Sequence, residues 1–333
     1  MKDLASNGGM VCADRTLQTI NAYQKRGEQL WNRAAKESEV WPKQLCPSKY
    51  YEWFESILPT LKPATRRQYI AATRTFVESL RKNAIGISCE NNKLYDIINK
   101  CKIMQSCNYS PGDKLKQWRG KTSSQKAKKV TIQEIAVLAE KSKNKKGKWI
   151  KPALIWMSAN LLVGLRPTEW RQASIMIVNS KKILVVVNAK NTNLRSHGEL
   201  RNIDISELEV TEVFRIETQL KAIKYYVKDD LSWNSYYSGV RHSIHRLNRE
   251  YFPNKRKYPS LYSTRHQFAA NAKSEGMSKA EVAALMGHAV DTTASMHYGK
   301  KKHGSGKCGV KPDLKDVQKI RISTVKRTNN RLC

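Results

Sequence analysis

The sequence predicts a mainly α-helical protein of two domains, with a small β-hairpin or sheet set into the second. Three observations predict it. Apolar residues recur at helical spacing through residues 1–115, and composition then shifts to Gly, Ser and Lys between Gly112 and Val130. Beyond that shift, a β-rich run, Lys182-Ile183-Leu184-Val185-Val186-Val187, is followed after a polar turn by Leu200-Arg201-Asn202-Ile203-Asp204-Ile205. A chain of 333 residues is long for one domain and sufficient for two, each able to bury a core. The expected organisation is therefore a helical domain over 1–115, a basic linker over 116–130, and a mixed α+β domain over 131–333 whose tail occupies 300–333.

In the first domain, Leu17, Ile20, Tyr23, Leu30, Trp31 and Ala34 mark an amphipathic helix between Asp14 and Glu39. An aromatic-rich segment from Ser48 to Leu58 is stopped by Pro59. After Pro63, Thr65-Arg66-Arg67-Gln68 has the pattern of a capping box, with Tyr69, Ala72, Phe76 and Leu80 on one face. A further helix is expected from Asn92 to Met104. The linker lacks apolar periodicity, so it serves either as a solvated hinge or as a cationic strap along a phosphate backbone.

The second domain opens on a capping box, Thr131-Ile132-Gln133-Glu134. Ala153 to Leu165 is almost wholly apolar without strand alternation, which predicts a buried helix ending near Gly164. The two β-rich runs make a hairpin with Lys190 at its tip. Helices follow over Glu207–Val227 and Trp233–Tyr251, and Ser278-Lys279-Ala280-Glu281 caps a short helix that closes at Leu285-Met286-Gly287-His288.

Charge narrows the function. Lys and Arg number 61 against 28 Asp and Glu, for a formal charge of +33 spread along the chain. Such a surface repels itself unless a polyanion neutralises it, which points to nucleic acid. A membrane surface is the other polyanion, but no apolar stretch approaches the roughly 18 to 20 residues of a spanning helix, and the N-terminus lacks a signal-peptide core. The seven cysteines form no C-x-x-C pair and are expected to be reduced thiols in the cytoplasm, neither a disulfide frame nor a zinc site.

Four short stretches carry candidate chemistry. Arg166 follows Gly164-Leu165 at the end of the buried helix and precedes Glu169; a capping arginine paired with Glu169 is its plain structural alternative. Arg265 and His266 stand in Tyr262-Ser263-Thr264-Arg265-His266. His288 ends the short capped helix, where it could equally be a structural cap. Tyr298 stands in Met296-His297-Tyr298-Gly299.

Taken together and in this order, these stretches resemble the tyrosine recombinases, the family of phage and mobile-element integrases, from Arg166 to Tyr298. The family's G-L-R-x-x-E is matched by Gly164-Leu165-Arg166 and Glu169, its hairpin lysine by Lys190, its L-G-H box by Leu285 with Gly287-His288, and its nucleophile by Tyr298. Its H-x-x-R-H is matched at Arg265 and His266, with Tyr262 where histidine is usual. The resemblance implies a helical DNA core-binding domain and a tyrosine-recombinase catalytic domain. It implies cleavage through a 3′-phosphotyrosine that leaves a free 5′ hydroxyl, with neither ATP nor a divalent ion. It implies double-stranded DNA at a specific recombination site, a homotetramer in which the last helix, read from Leu314, Val317, Ile320 and Val325 at loosely helical spacing and with a frayed tail as its plain alternative, docks on a neighbouring subunit, no membrane, and a nucleoid-associated cytoplasmic setting in a prokaryotic, viral or plasmid context.

The residue types suit that chemistry independently. Two arginines can compensate charge on the nonbridging oxygens of a five-coordinate phosphorus through bidentate donors, and His288 can add a hydrogen bond. A phenol of ordinary pKa is only about 0.1% ionised at pH 7, a deficit of about 4 kcal/mol, so Tyr298 needs a cationic surrounding. Lys190 on a mobile tip suits protonation of the leaving 5′ oxygen. Tyr262, a neutral phenol, is expected to position phosphate by hydrogen bonding, leaving proton removal from Tyr298 to water, His266 or His297; the alternative for His266, which adjoins Arg265, is a buried structural residue. A type IB topoisomerase or a protelomerase would use nearly the same residues, and a regulator on the same fold would have lost some of them. A metal-dependent transposase would need a carboxylate constellation that the sequence does not show.

Overall fold

The computed structural model describes residues 16–83, 88–106, 127–189, 191 and 195–323. The chain divides into two compact units, Met1–Gly120 and Lys121–Cys333.

In the first unit four helices are described: α1 (Leu17–Glu37), α2 (Pro47–Ile57), α3 (Pro63–Asn83) and α4 (Ser88–Ser106). Leu30, Trp31, Tyr50, Phe54, Ile70, Val77, Leu94 and Ile97 form their common core. Gly27 lets α1 and α3 meet closely, because a Cβ there would collide with the Phe76 side chain. The capping box expected at Thr65 is not formed. Pro63, whose fixed φ and missing N–H suit a first helical position, opens the helix earlier. The buried Arg66 side chain instead donates to the carbonyls of Leu58 and Leu61, each at 3.0 Å, closing the preceding turn.

The second unit begins before the expected end of the linker. Ser263 Oγ donates to Ala127 O at 2.5 Å, and Val130 is fully buried with its N–H on Gln267 Oε1. Residues 127–130 are thus tied to the domain; residues 107–126 lie outside the described residues. Helix α5 (Ile132–Lys141) carries the predicted capping box, Thr131 Oγ1 accepting from Glu134 N–H and Glu134 from Thr131 N–H. Helix α6 (Ile150–Val163) is buried and stops where Gly164 takes the left-handed conformation at φ 60°. Glycine is needed there twice over, for that φ and because a Cβ would strike the Phe268 ring.

The sheet is larger than the hairpin foreseen. Strands β1 (Ser174–Val178), β2 (Lys181–Val187), β3 (Leu200–Asp204) and β4 (Lys311–Pro312) form one antiparallel sheet in that order. Helices α7 (Val210–Tyr226) and α8 (Asp230–Tyr251) follow, then α9 (Leu261–Ser274), whose residues are mostly buried against α6. The short helices α10 (Lys279–Leu285), α11 (Thr292–His297) and α12 (Leu314–Gln318) complete the unit. Among the described residues no helix is long and apolar enough to cross a membrane.

Within the single chain the tail lies against its own domain. Pro312 and Lys311 pair with β3, Val317 and Ile320 pack on Ala280, Ala283 and Ala284 of α10, and Arg321 bridges to Val290. The alanine-rich face of α10 is what these branched side chains cover, so the tail through residue 323 closes on its own domain. Val325, expected to continue that helix, lies outside the described residues.

Candidate active site

The loop after α6, helix α9, the end of α10 and the end of α11 converge on one cleft of about 410 Å³, lined among others by Arg166, Arg195, Tyr262, His288, His297 and Tyr298. Four of the six residues expected at a site line this space, and a fifth, Arg265, lies directly beneath it. The sixth, Lys190, is outside the described residues.

Tyr298 caps the C-terminal end of α11 and is held by its surroundings. Its N–H reaches Ala294 O at 3.2 Å. Lys273, from the last turn of α9, donates to Ala294 O at 2.8 Å and Gly299 O at 2.7 Å, bracketing Tyr298 from both sides. Gly299 lies against the His266 carbonyl, which a Cβ would strike. Arg265 Nε donates to the Tyr298 hydroxyl at 3.3 Å, and the guanidinium lies 5.2 Å from the ring centroid.

Arg265 does not face open cleft in the way a symmetric two-arginine clamp implies. It is fully buried, and its terminal nitrogens donate to the carbonyls of Gly164 and Met286. A guanidinium with no exposed surface must satisfy its N–H groups within the protein. What remains directed at the site is Nε, and its acceptor is the tyrosine oxygen.

Beneath these groups sits a buried cluster built on Glu169. Its carboxylate pairs with Arg166 at 2.6 Å and Arg201 at 2.7 Å, lies 3.7 Å from Arg265, and accepts the N–H groups of Arg166 and Ala189. Arg166 is thus paired with Glu169, as its structural alternative expects, and it also lines the cleft. Three guanidinium groups against one carboxylate leave the cluster formally at +2. Burial alone would raise the Glu169 pKa, but the charges of Arg201, Arg265 and Arg166 outweigh it and hold the carboxylate well below its usual range. Arg201, also bonded to Asn188 Oδ1, was missed at the sequence level. The signal was there: alternation along β3 puts Arg201 on the same inward face as Ile203.

This field acts on Tyr298, Tyr262, His288 and His266. Burial pushes Tyr298 upward, yet the charge and hydrogen bond of Arg265, then the charge of Arg166 and a hydrogen bond from Tyr262, bring its pKa below the ordinary phenol value. Tyr262 moves the opposite way, to about 12, through burial and the neighbouring Tyr298 oxygen. Tyr262 is thus the protonated member of that pair. Burial and the same arginines lower His288 to about 2, so it is a neutral imidazole, and its Nδ1 has no partner. His266, whose ring centroid is 5.0 Å from that of Tyr298, is likewise neutral, lowered to about 4 by burial and by Lys128, and its Nδ1 is also unpartnered. His297 is exposed at the cleft rim.

His288 is fixed from behind by residues that were not foreseen. Its N–H bonds to Ala283 O, Gly287 before it takes φ 62°, and His197 Nδ1 lies 3.2 Å from the His288 carbonyl. His197 is in turn 3.8 Å from Asp316 of α12, so the tail supports the turn that carries His288. Among the described residues no group of His, Cys, Asp and Glu could hold a metal ion.

No family model matches the sequence, and no curated protein matches it. Among solved structures, the chain is similar to the XerH site-specific recombinase bound to its difH substrate in a pre-cleavage complex, with TM-score 0.47 and 14% identity over 84% of this chain and 75% of that chain. It is similar to the XerA recombinase, with TM-score 0.34 and 14% identity over 85% of this chain and 88% of that one. The Tn1549 transposon integrase in complex with transposon right end DNA gives TM-score 0.38 and 11% identity over 83% and 96%. At these identities the likeness concerns the fold alone, a mainly helical chain with a small antiparallel sheet.

Proposed function

We propose that this chain is a site-specific DNA recombinase or integrase that breaks and rejoins strands with Tyr298 as nucleophile. The observation that carries the proposal is the Tyr298 hydroxyl bonded to Arg265 Nε in a cleft lined by Arg166, Tyr262 and His288, with its pKa drawn below the phenol value. A tyrosine so placed is a poised oxygen nucleophile beside an anion site, and the +33 charge supplies the attraction to a polyanionic substrate.

The step is an in-line displacement. The Tyr298 oxygen forms a bond to phosphorus, the bond to the 5′ oxygen of the next nucleotide breaks, and the products are a 3′-phosphotyrosine and a free 5′ hydroxyl. The phenolic proton leaves to water or to the neutral His266, and the 5′ oxygen receives a proton from Lys190. Arg166 and the field of the Glu169 cluster offset the charge growing on the nonbridging oxygens, and the neutral His288 donates a hydrogen bond to one of them. One phosphodiester replaces another, so the energy for rejoining is retained. A homotetramer around two DNA sites in a nucleoid-associated, cytoplasmic setting completes the proposal.

The test is covalent capture. Nicked duplexes with random sequence around the nick trap an enzyme whose cleaved strand diffuses away; the expected product is a protein–DNA adduct that mass spectrometry maps to Tyr298. Product analysis on the recovered site then separates exchanged junctions from relaxed circles or hairpin ends. Absence of any adduct across the pool would count against the proposal.

Two further results are expected. Binding to duplex DNA should weaken steeply with salt: neutralising about ten phosphates gives a log–log slope near −9, whereas a measured slope near −2 would show that most of the charge stays off the interface. Replacing Tyr262 by Phe removes a protonated phenol from the cleft beside the nucleophile and should raise the cleavage barrier by about 1 to 3 kcal/mol if that phenol donates a hydrogen bond in the displacement. Since the Tyr262 phenol stays protonated far above neutrality, the wild-type profile from pH 5.5 to 9 should rise with Tyr298 ionisation alone. Tyr262→His should recover activity with an added ionisation at about pH 6 to 7. Full activity in Tyr262→Phe would reduce Tyr262 to a packing residue.

A further inference from the structure

The cations beneath the cleft are largely engaged by the protein itself. Arg265 has no exposed surface, Arg201 has almost none, and Arg166 places one nitrogen on Glu169 with the other 3.5 Å from Gly287 O. Arg195 differs from all three. It lines the same cleft as Tyr298 and His288, it is exposed, and among the described residues no carboxylate or carbonyl pairs with its side chain.

Its backbone is nevertheless fixed. Arg195 O accepts the Ala289 N–H at 3.2 Å, directly after His288. Ser196 Oγ bonds to Asn191 Oδ1 and Gly198 O, and the buried His197 holds the His288 carbonyl. Residues 195–197 and 287–289 thus brace one another, so the free guanidinium projects from an anchored segment beside the unpartnered His288 ring. A planar cation whose donors meet no acceptor among the described residues, lining a cavity large enough for a phosphate, meets the requirement for an oxyanion ligand.

We infer that Arg195 is a further catalytic residue, a phosphate-contacting cation that bonds the nonbridging oxygens of the phosphodiester attacked by Tyr298. This rests on the strand-breaking function proposed above. It gives the cleft an accessible arginine that the buried pair does not supply, and it places the β2–β3 connection in the chemistry through Arg195 as well as through Lys190.

Two measurements on the full chain test it. The first is calorimetric binding of inorganic orthovanadate, which needs no DNA site; Arg195→Ala should weaken it by about tenfold to a hundredfold, as loss of a charge-assisted hydrogen bond does, and Arg195→Lys should recover part. Lys146→Ala, which removes an exposed cation elsewhere on the domain, should leave it unchanged. The second is the rate of adduct formation at saturating nicked duplex, expected to fall similarly in Arg195→Ala while DNA affinity changes less than about threefold, a rate effect without a matching binding effect. On the recovered site, a neutral methylphosphonate at the cut position should erase most of that deficit, which a merely structural role would not do. Should Arg195→Ala unfold, the comparison of Arg195→Lys with Arg195→Gln decides the same question. Wild-type vanadate affinity and adduct rate in Arg195→Ala overturn the inference, as does a defect in DNA affinity with the saturated rate intact. Arg195-dependent vanadate binding in a chain that forms no adduct would retain the cation site and reject the strand-breaking function.

Discussion

Tyr298→Phe is expected to abolish covalent capture of DNA to the detection limit while leaving the protein folded and able to bind duplex within about threefold of wild type. The substitution removes one oxygen, which is the atom that attacks phosphorus; no step of the displacement can proceed without it. The structural cost is limited. That oxygen accepts from Arg265 Nε, so its loss leaves a buried donor short of a partner, at about 1 to 3 kcal/mol. The ring remains packed beside His266 and His288, and the backbone tethers from Lys273 do not involve the hydroxyl. Adducts persisting in the variant would transfer the nucleophile elsewhere, first to Tyr262, whose pKa of about 12 makes it much the poorer candidate. Denaturing electrophoresis of the trapped complex, with filter binding in parallel, separates the two outcomes.

What the sequence disclosed and what it hid follow from how each feature is encoded. The buried helix leading to Arg166 was legible because apolar residues surround it on all sides and glycine marks its left-handed end. The boxes at Thr131 and Ser278 were legible because both halves of a capping box are local. Thr65 shows the limit of that signal, since the same spacing lost to a proline two residues earlier. Strand β1 was missed although Asn179 and Ser180, both at positive φ, make the tight turn into β2; its mostly exposed residues give no alternation. Strand β4 is two residues long and exists only because β3 offers an edge, which no local pattern can announce. Within the site, Arg166, Tyr262, Arg265, His288 and Tyr298 were brought to notice by their motif stretches. Their supports, Arg201, Lys273, His197 and Asp316, come from remote segments and are joined only by tertiary packing.

The largest effect on stability is expected at Glu169. Among the described residues its carboxylate is the only acidic partner of the guanidinium groups of Arg166, Arg201 and Arg265, and it is buried. Glu169→Gln keeps shape and one acceptor but raises the buried cluster from a formal +2 to +3. Removing one partner of a buried ion pair costs about 3 to 5 kcal/mol, and a unit of this size loses about 2 to 4 °C of melting temperature per kcal/mol, so a drop on the order of 10 °C is expected. The pH dependence follows from the sign of the shift. A carboxylate held below its usual range in the folded state contributes stability that is full above its unfolded pKa of about 4.3 and is lost as pH falls toward the folded value. Wild-type protein should therefore lose stability on acidification below about pH 4.3 more steeply than Glu169→Gln. A double-mutant cycle with Arg201→Met isolates the pair: in the Gln background, removing Arg201 should cost much less than in wild type, because it relieves the charge that Glu169 no longer balances. Additive losses in the two single variants, or a melting temperature within about 2 °C of wild type in Glu169→Gln, would show that the arginines are stabilised by their carbonyl partners and not by this carboxylate.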